Sequence, residues 1–241
     1  MRLNDLRGIK GLSFEEISIE DEIENAYIFS LPKTGNLSPL DLLTRVCECN
    51  DSSLTFFEQA EFTTEGLEKL TRFRVREYKV SDFKAGEFLK RNLATLHGNL
   101  ITDKIYLTTK TMITGGGKKE KNTEINKDVF ELLFDIAERR FKVIRVLVES
   151  ELDGIKNLSL DFYIDNHGLL ANNFKLDIEF DNIEVRNSFD ESDIDTYLNK
   201  YFKKPIDALE IDNLVKLRNP KMYSLHERLI VARHWENTII K

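Results

Sequence analysis

The sequence predicts an α+β fold built on a mostly antiparallel sheet, and three observations carry that prediction. Segments with strict two-residue alternation recur along the chain, as in RFRVREYKV, LSLDFYID and FKLDIEFD, and such alternation puts successive side chains on opposite faces of a strand. Stretches with apolar residues at helical spacing lie between them. Short turn signals, such as Asn166-His167-Gly168 between two alternating runs, suit hairpins, the connections of antiparallel sheets.

In chain order, 22–31 (EIENAYIFSL) reads as a strand, closed by Pro32 and Gly35. Residues 38–49 read as a helix with Ser38 as its cap and Pro39 in its first turn. Residues 54–62 and 72–80 read as strands, 82–96 as a helix and 104–113 as a strand. The segment GGGKKEKNTE follows as a flexible basic loop, and 127–140 has helical apolar spacing. Strands are expected at 158–165 and 174–181, and helices at about 191–202 and 224–238. No internal repeat or low-complexity tract interrupts this order, so a single domain over 1–241 is expected, with motif-bearing strands in 22–181 and a helical segment at 190–241.

Composition narrows the class. With 241 residues, 41% of them hydrophobic, the chain can bury a core without disulfides or metal staples. No apolar run approaches the ~18 residues of a membrane span, and MRLNDLRGIK has no apolar signal core. Cys47 and Cys49 are one residue apart and cannot bridge each other without strain. A cytoplasmic protein with no membrane partner is the expectation. The net charge of −7 hides blocks: residues 1–68 are net −9, 69–121 net +8, 149–195 net −10 and 196–241 net +4. Such blocks must meet in space or form separate patches.

Charge at strand spacing is the sharpest signal. Arg72, Arg74 and Arg76 share one face of their strand, with Phe73 and Val75 on the other. Asp177, Glu179 and Asp181 lie opposite Leu176, Ile178 and Phe180; Asp161 and Asp165 lie opposite Leu160, Phe162 and Ile164. Glu22 and Glu24 are expected to share a face, as are Lys104 and Lys110. A solvent face laced with cross-strand ion pairs is the plainer account, at ~0.2–1 kcal/mol per pair. Successive like charges on one strand repel, however, and suit a fixed ligand of opposite charge. Guanidinium forks match phosphate oxygens, and carboxylates hold hard cations.

The order of these strands resembles the CYTH superfamily, the triphosphate tunnel metalloenzymes. Glu22-Ile23-Glu24-Asn25-Ala26, running on to Leu31-Pro32, resembles the opening E-x-E-x-K, with Ala26 in place of the lysine. Phe57-Glu58-Gln59-Ala60-Glu61-Phe62 resembles the strand before a short hairpin, Arg72-Phe73-Arg74 or Arg74-Val75-Arg76 the R-x-R strand, and Tyr106-Leu107-Thr108-Thr109-Lys110 the y-L-T-x-K strand. Val143-Ile144-Arg145 falls at the K-x-R strand without its lysine, unless Lys142 substitutes; Leu160-Asp161-Phe162 and Asp177-Ile178-Glu179 resemble the closing acidic strands. The likeness covers about residues 22–200.

What the resemblance implies is an antiparallel β-barrel tunnel, with charged faces inward and apolar faces packed on outer helices. It implies a metal-dependent phosphohydrolase or nucleotide cyclase acting on nucleotide or polyphosphate substrates. Glu22, Glu24, Asp161, Asp177 and Glu179 would hold Mg²⁺ or Mn²⁺, with Glu22, Glu24 and Lys110 catalytic; Arg72, Arg74, Arg76, Lys110 and Arg145 would clamp phosphate. With Ala26 and Val143 lacking the family's cations, the alternative is a non-catalytic module that holds a nucleotide or an RNA 5′ end, with a protein partner in a larger assembly.

Other constellations are weaker. Arg228 to His234 has the R-x(4–6)-H spacing of some helical ribonucleases, but strands precede it throughout; His226-Glu227 lacks the second zinc-motif histidine. His167 reads as a turn residue. Glu77-Tyr78-Lys79 is an E-x-K without an upstream aspartate, and Gly115-Gly116-Gly117-Lys118 lacks the P-loop frame. The cysteines are too closely spaced for a zinc pair.

Overall fold

The computed structural model describes residues 15–30, 38–49, 53–62, 70–80, 101–113, 117–137, 139–149, 153–164 and 170–190. They form nine strands and three helices, in the order β1 (Glu15–Glu22), β2 (Glu24–Ser30), α1 (Pro39–Cys49), β3 (Ser53–Phe62), β4 (Leu70–Val80), β5 (Ile101–Met112), β6 (Lys118–Glu124), α2 (Lys127–Ile136), β7 (Arg139–Glu149), β8 (Ile155–Ile164), β9 (Leu170–Phe180) and α3 (Ile183–Ser188). The sheet is mostly antiparallel and the class α+β, as the alternation predicts. The helices expected at 82–96, 191–202 and 224–238, the Asn166–Gly168 turn and the Arg228–His234 motif lie outside the described residues.

Three local expectations are corrected. Glu22 and Glu24 do not share a strand: Glu22 ends β1, opposite Lys118 of β6, whereas Glu24 opens β2, opposite Glu179 of β9. The break lies at Ile23, whose carbonyl accepts from the Phe180 amide at 2.8 Å. The basic loop is instead a strand over Lys118–Glu124, hydrogen-bonded to β1 and β5. It holds no apolar residue to announce it, because the face carrying Lys118, Glu120 and Asn122 is satisfied by ions and hydrogen bonds. The helix expected to reach Arg140 ends at Ile136: Ala137 is extended, with φ −69° and ψ 145°, and Arg139 opens β7.

The chain divides into two compact units. The first comprises Met1–Glu22, Phe57–Val80 and Ile101–Phe141; its strand order is β1-β6-β5-β4-β3. Its core sets Val129, Phe130 and Leu133 of α2 among Phe73, Val75, Ile105 and Leu107, the apolar faces of β4 and β5. Asn126 starts α2 by accepting from the Val129 amide at 2.9 Å. Glu77 lies on this helix-facing side of β4 and is fully buried. Lys127 Nζ donates to both its oxygens at 2.7 Å and Thr102 Oγ1 to one at 2.6 Å. Burial opposes its charge, but these donors and Lys79 hold the carboxyl below the usual range.

The second unit comprises Ile23–Phe56, Ser81–Leu100 and Lys142–Lys241, with strand order β7-β8-β9-β2. Its core packs Leu42, Leu43 and Val46 of α1 with Leu160, Phe162, Phe174, Leu176 and Ile178. Ser38 caps α1 as expected, its Oγ accepting from the Asp41 amide at 3.1 Å while its own amide donates to Asp41 Oδ2 at 3.0 Å. Cys47 is buried in this core. Gly154 has φ +78°, a conformation suited to glycine, and lies against Val185. No helix among the described residues is long and apolar enough to cross a membrane.

Candidate functional site

In the first unit, register gathers one polar face from β4, β5 and β6. Arg72 stands opposite Lys110, Arg74 opposite Thr108 and Arg76 opposite Tyr106; Lys110 in turn faces Glu120, and Thr108 faces Asn122. Ordinary solvent faces are wet, but here Arg74, Arg76, Thr108 and Lys110 are all buried. The side chain of Arg72 lies outside the described ones.

Two centres form on this face. Around Glu120, Lys110 Nζ approaches Oε2 at 2.9 Å and Arg74 Nη2 at 3.3 Å, while Asn122 Nδ2 donates to Oε1 at 3.0 Å. Lys110 also donates to Glu22. Thr108 Oγ1 lies 2.7 Å from Asn122 Oδ1, extending the chain of bonds. Burial works against the Glu120 charge, yet Lys110 and Arg74 outweigh it and hold this carboxyl well below the usual range.

Arg76 makes the second centre. Its Nε donates to Gln59 Oε1 at 2.9 Å, its Nη2 to the same oxygen, and its Nη1 to the Tyr78 hydroxyl at 2.7 Å. Gln59 Nε2 donates to Glu61 at 2.7 Å, which fixes the amide with its oxygen toward Arg76. The guanidinium carbon lies 4.2 Å from the Phe57 ring centroid and 5.4 Å from that of Tyr78. At 4% exposure, Arg76 meets no carboxylate among the described residues; its partners are an amide, a phenol and two rings. A buried charge held by neutral groups alone costs several kcal/mol of desolvation that an anion would offset.

The second unit has its own polar row. Arg145 grips Asp161 through Nε and Nη2 at 2.6 and 2.7 Å and reaches Asp177 Oδ2 at 3.7 Å. Lys175 Nζ donates to that same Oδ2 at 2.5 Å. Asp177 Oδ1 is buried and accepts no hydrogen bond among the described residues. Glu179 accepts from Asn157 at 2.7 Å and Lys156 at 2.8 Å. Ala26 stands opposite Asp177. Val143 is buried, and Lys142, the substitute considered for the missing lysine, is exposed at the next position, on the other face of β7.

Glu22, Arg74 and Lys110 are thus brought together, and so are Arg145, Asp161 and Asp177. Glu24 and Glu179 oppose each other across β2 and β9. Sequence reasoning missed Glu120, Asn122 and Lys175 as site residues. Glu120 shares period-two spacing with Lys118 and Asn122, a signal hidden by reading that segment as a loop.

Among the described residues no group of three carboxylate, histidine or cysteine side chains is placed to hold a metal ion. A cage for a resident ion is therefore not formed by them. Magnesium carried on a phosphate chain asks less, commonly one or two carboxylates, and the unbonded Asp177 Oδ1 is a hard donor of that kind.

No protein-family model matches the chain, and no curated protein matches it. Among solved structures, the crystal structure of the hypothetical protein NE1496 is similar at 18% identity and a TM-score of 0.34, covering 70% of this chain and 82% of that one. A likeness this loose carries no functional argument.

Proposed function

We propose that this protein binds triphosphate-bearing ligands, nucleotides or polyphosphates, through the buried cations of its first unit, and acts on them as a phosphohydrolase or nucleotide cyclase of the CYTH type. The observation that carries the reading is Arg76, a guanidinium at 4% exposure with no carboxylate against it among the described residues. Arg74 and Lys110 lie on the same face, two and four residues away in register, so an extended phosphate chain could engage all three. In the resting protein Glu120 and Glu22 occupy Lys110, and Glu120 occupies Arg74. Phosphate would take over these donors.

Mg²⁺ or Mn²⁺ enters the proposal with the phosphates, coordinated within the first unit by a single carboxylate such as Glu22. Bound there, it would polarise the phosphoryl group. Arg76 and Arg74 would orient the chain, and Lys110 would offset charge on the leaving oxygens. A cytoplasmic location belongs to the same proposal.

A second reading is favoured by Ala26 and Val143: the fold holds a nucleotide or an RNA 5′ end without turnover, within a larger assembly. Both positions offer only a small or buried apolar side chain where the resemblance implies a lysine. The test is titration of the purified full chain with tripolyphosphate, ATP and triphosphorylated RNA, followed by product analysis in Mg²⁺ and in Mn²⁺. Binding that weakens at least tenfold in Arg76→Met supports the site; products that form only with metal support the enzyme. Binding with no product assigns the protein to the second reading, and absence of binding refutes both.

A further inference from the structure

Resting on that reading, we infer that the ligand of the first unit carries a nucleobase beside its triphosphate, and that Tyr106 is the residue on which the base stacks. The polar face of this unit is not uniformly ionic. At the Arg76 end it turns aromatic: Phe57 and Tyr78 have ring centroids 5.7 Å apart, and Tyr78 meets Tyr106 at 5.9 Å with an interplanar angle of 70°. The faces of Phe57 and Tyr78 are turned to the Arg76 guanidinium. Tyr106 has no such occupant among the described residues. Its ring meets Tyr78 in a T-shaped contact, its hydroxyl makes no hydrogen bond among the described residues, and it is half-buried beside exposed Lys104.

Register then sets the spacing. Tyr106 is the direct cross-strand partner of Arg76, and Thr108 and Lys110 follow it on the same face of β5. From Tyr106 to Lys110 the strand advances roughly 14 Å, at ~3.4 Å per residue. That is the reach of an extended nucleoside 5′-triphosphate, with the base at Tyr106, the first phosphate at Arg76 and the far phosphates at Arg74 and Lys110. An inorganic polyphosphate would use the cations and leave the aromatic end idle. Base stacking on an aromatic side chain tolerates any base, because every base has a π face, so the structure assigns a class of ligand and not one base.

The experiment compares ATP, a triphosphorylated RNA oligonucleotide and tripolyphosphate by calorimetry on the full chain, in the natural protein and in Tyr106→Leu and Tyr106→Phe. The natural protein is expected to bind ATP or the RNA end more tightly than tripolyphosphate. Tyr106→Leu should weaken the two base-bearing ligands roughly ten- to a hundredfold and leave tripolyphosphate within about threefold, while Tyr106→Phe, which keeps the ring, retains most of the affinity. ATP favoured over RNA indicates a free nucleotide, and the reverse an RNA end; either supports the inference. Tripolyphosphate binding as tightly as ATP in the natural protein overturns it without needing any variant. Equal losses for all three ligands in Tyr106→Leu overturn it as well, because the ring would then only support the fold. If none of the three binds, the triphosphate reading itself fails, a result distinct from loss of base preference.

Discussion

Glu120→Gln separates a binding face from a merely structural ion network, because the two make opposite demands on Glu120. The carboxylate receives Lys110 at 2.9 Å, Arg74 at 3.3 Å and Asn122 at 3.0 Å, and both cations are buried. The amide keeps the shape and one acceptor oxygen but removes the charge. Charge-assisted hydrogen bonds contribute ~1.5–3 kcal/mol each, and breaking a buried pair exposes the remaining charges to the low dielectric. With Glu22 still holding Lys110, the expected loss of stability is about 2–4 kcal/mol, a fall in Tm of about 5–15 °C. Affinity should move the other way. Two unit charges ~4 Å apart interact by ~4 kcal/mol at an effective dielectric of 20. If a third of that is released to a bound anion, tripolyphosphate binds about tenfold more tightly. The assay is a thermal melt of natural and variant protein across a tripolyphosphate series with chelator present. A variant that is destabilised and binds the anion more weakly would show Glu120 assisting the ligand, not competing with it. A variant that melts with the natural protein would refute the buried network.

Two further predictions concern the fold that carries this face. Glu77, fully buried and held ionised by Lys127 and Thr102, has a folded pKa below its unfolded value of ~4.3. Its contribution is therefore present above about pH 4.3 and lost as pH falls through the folded value; in chemical denaturation series from pH 7 to 3, Glu77→Gln should be about 2–4 kcal/mol less stable than the natural protein at pH 7 and converge with it in acid. Gly154→Ala places a Cβ 2.6 Å from Val185 Cγ1 at φ +78°, which should cost about 2–4 kcal/mol in urea unfolding; a loss under 0.5 kcal/mol would mean that α3 yields freely there.

How much of this was legible in the sequence depends on whether apolar residues marked each element. β4, β8 and β9 alternate apolar and charged residues, and all three are present. The cap of α1 at Ser38 is local chemistry and read directly. β6 was illegible because Lys-Lys-Glu-Lys-Asn-Thr-Glu has no apolar face: its pairing partners, Lys110 and Glu22 among them, lie on other strands, and only tertiary register reveals that Glu120 belongs with Arg74. The same limit applies to Glu22 and Glu24. Their two-residue spacing implies one face of one strand, but a break at Ile23 gives each its own strand and its own partners. Arg76 was legible as a phosphate candidate, whereas its neutral surroundings were not, because Gln59 lies 17 residues away on a strand chosen by topology.

The lysine absent at position 26 shows how a charge can move while a face is kept. Ala26 stands opposite Asp177, and Lys175, two residues along β9 and therefore on the same face, donates to Asp177 Oδ2 at 2.5 Å. The cation that the resemblance implies on β2 is thus supplied to this row by the adjacent strand. Lys79 and Lys104, both on strands of the first unit, do not do this. Lys79 is engaged by Glu58 and Glu77 at 3.1 and 3.6 Å in the first unit, and Lys104 is exposed. Lys175 differs from a lysine at position 26 in one respect that bears on chemistry. It donates to one oxygen of Asp177, while Oδ1 is buried with no hydrogen-bond partner among the described residues. In the first unit, Arg76 is buried with no carboxylate against it among the described residues.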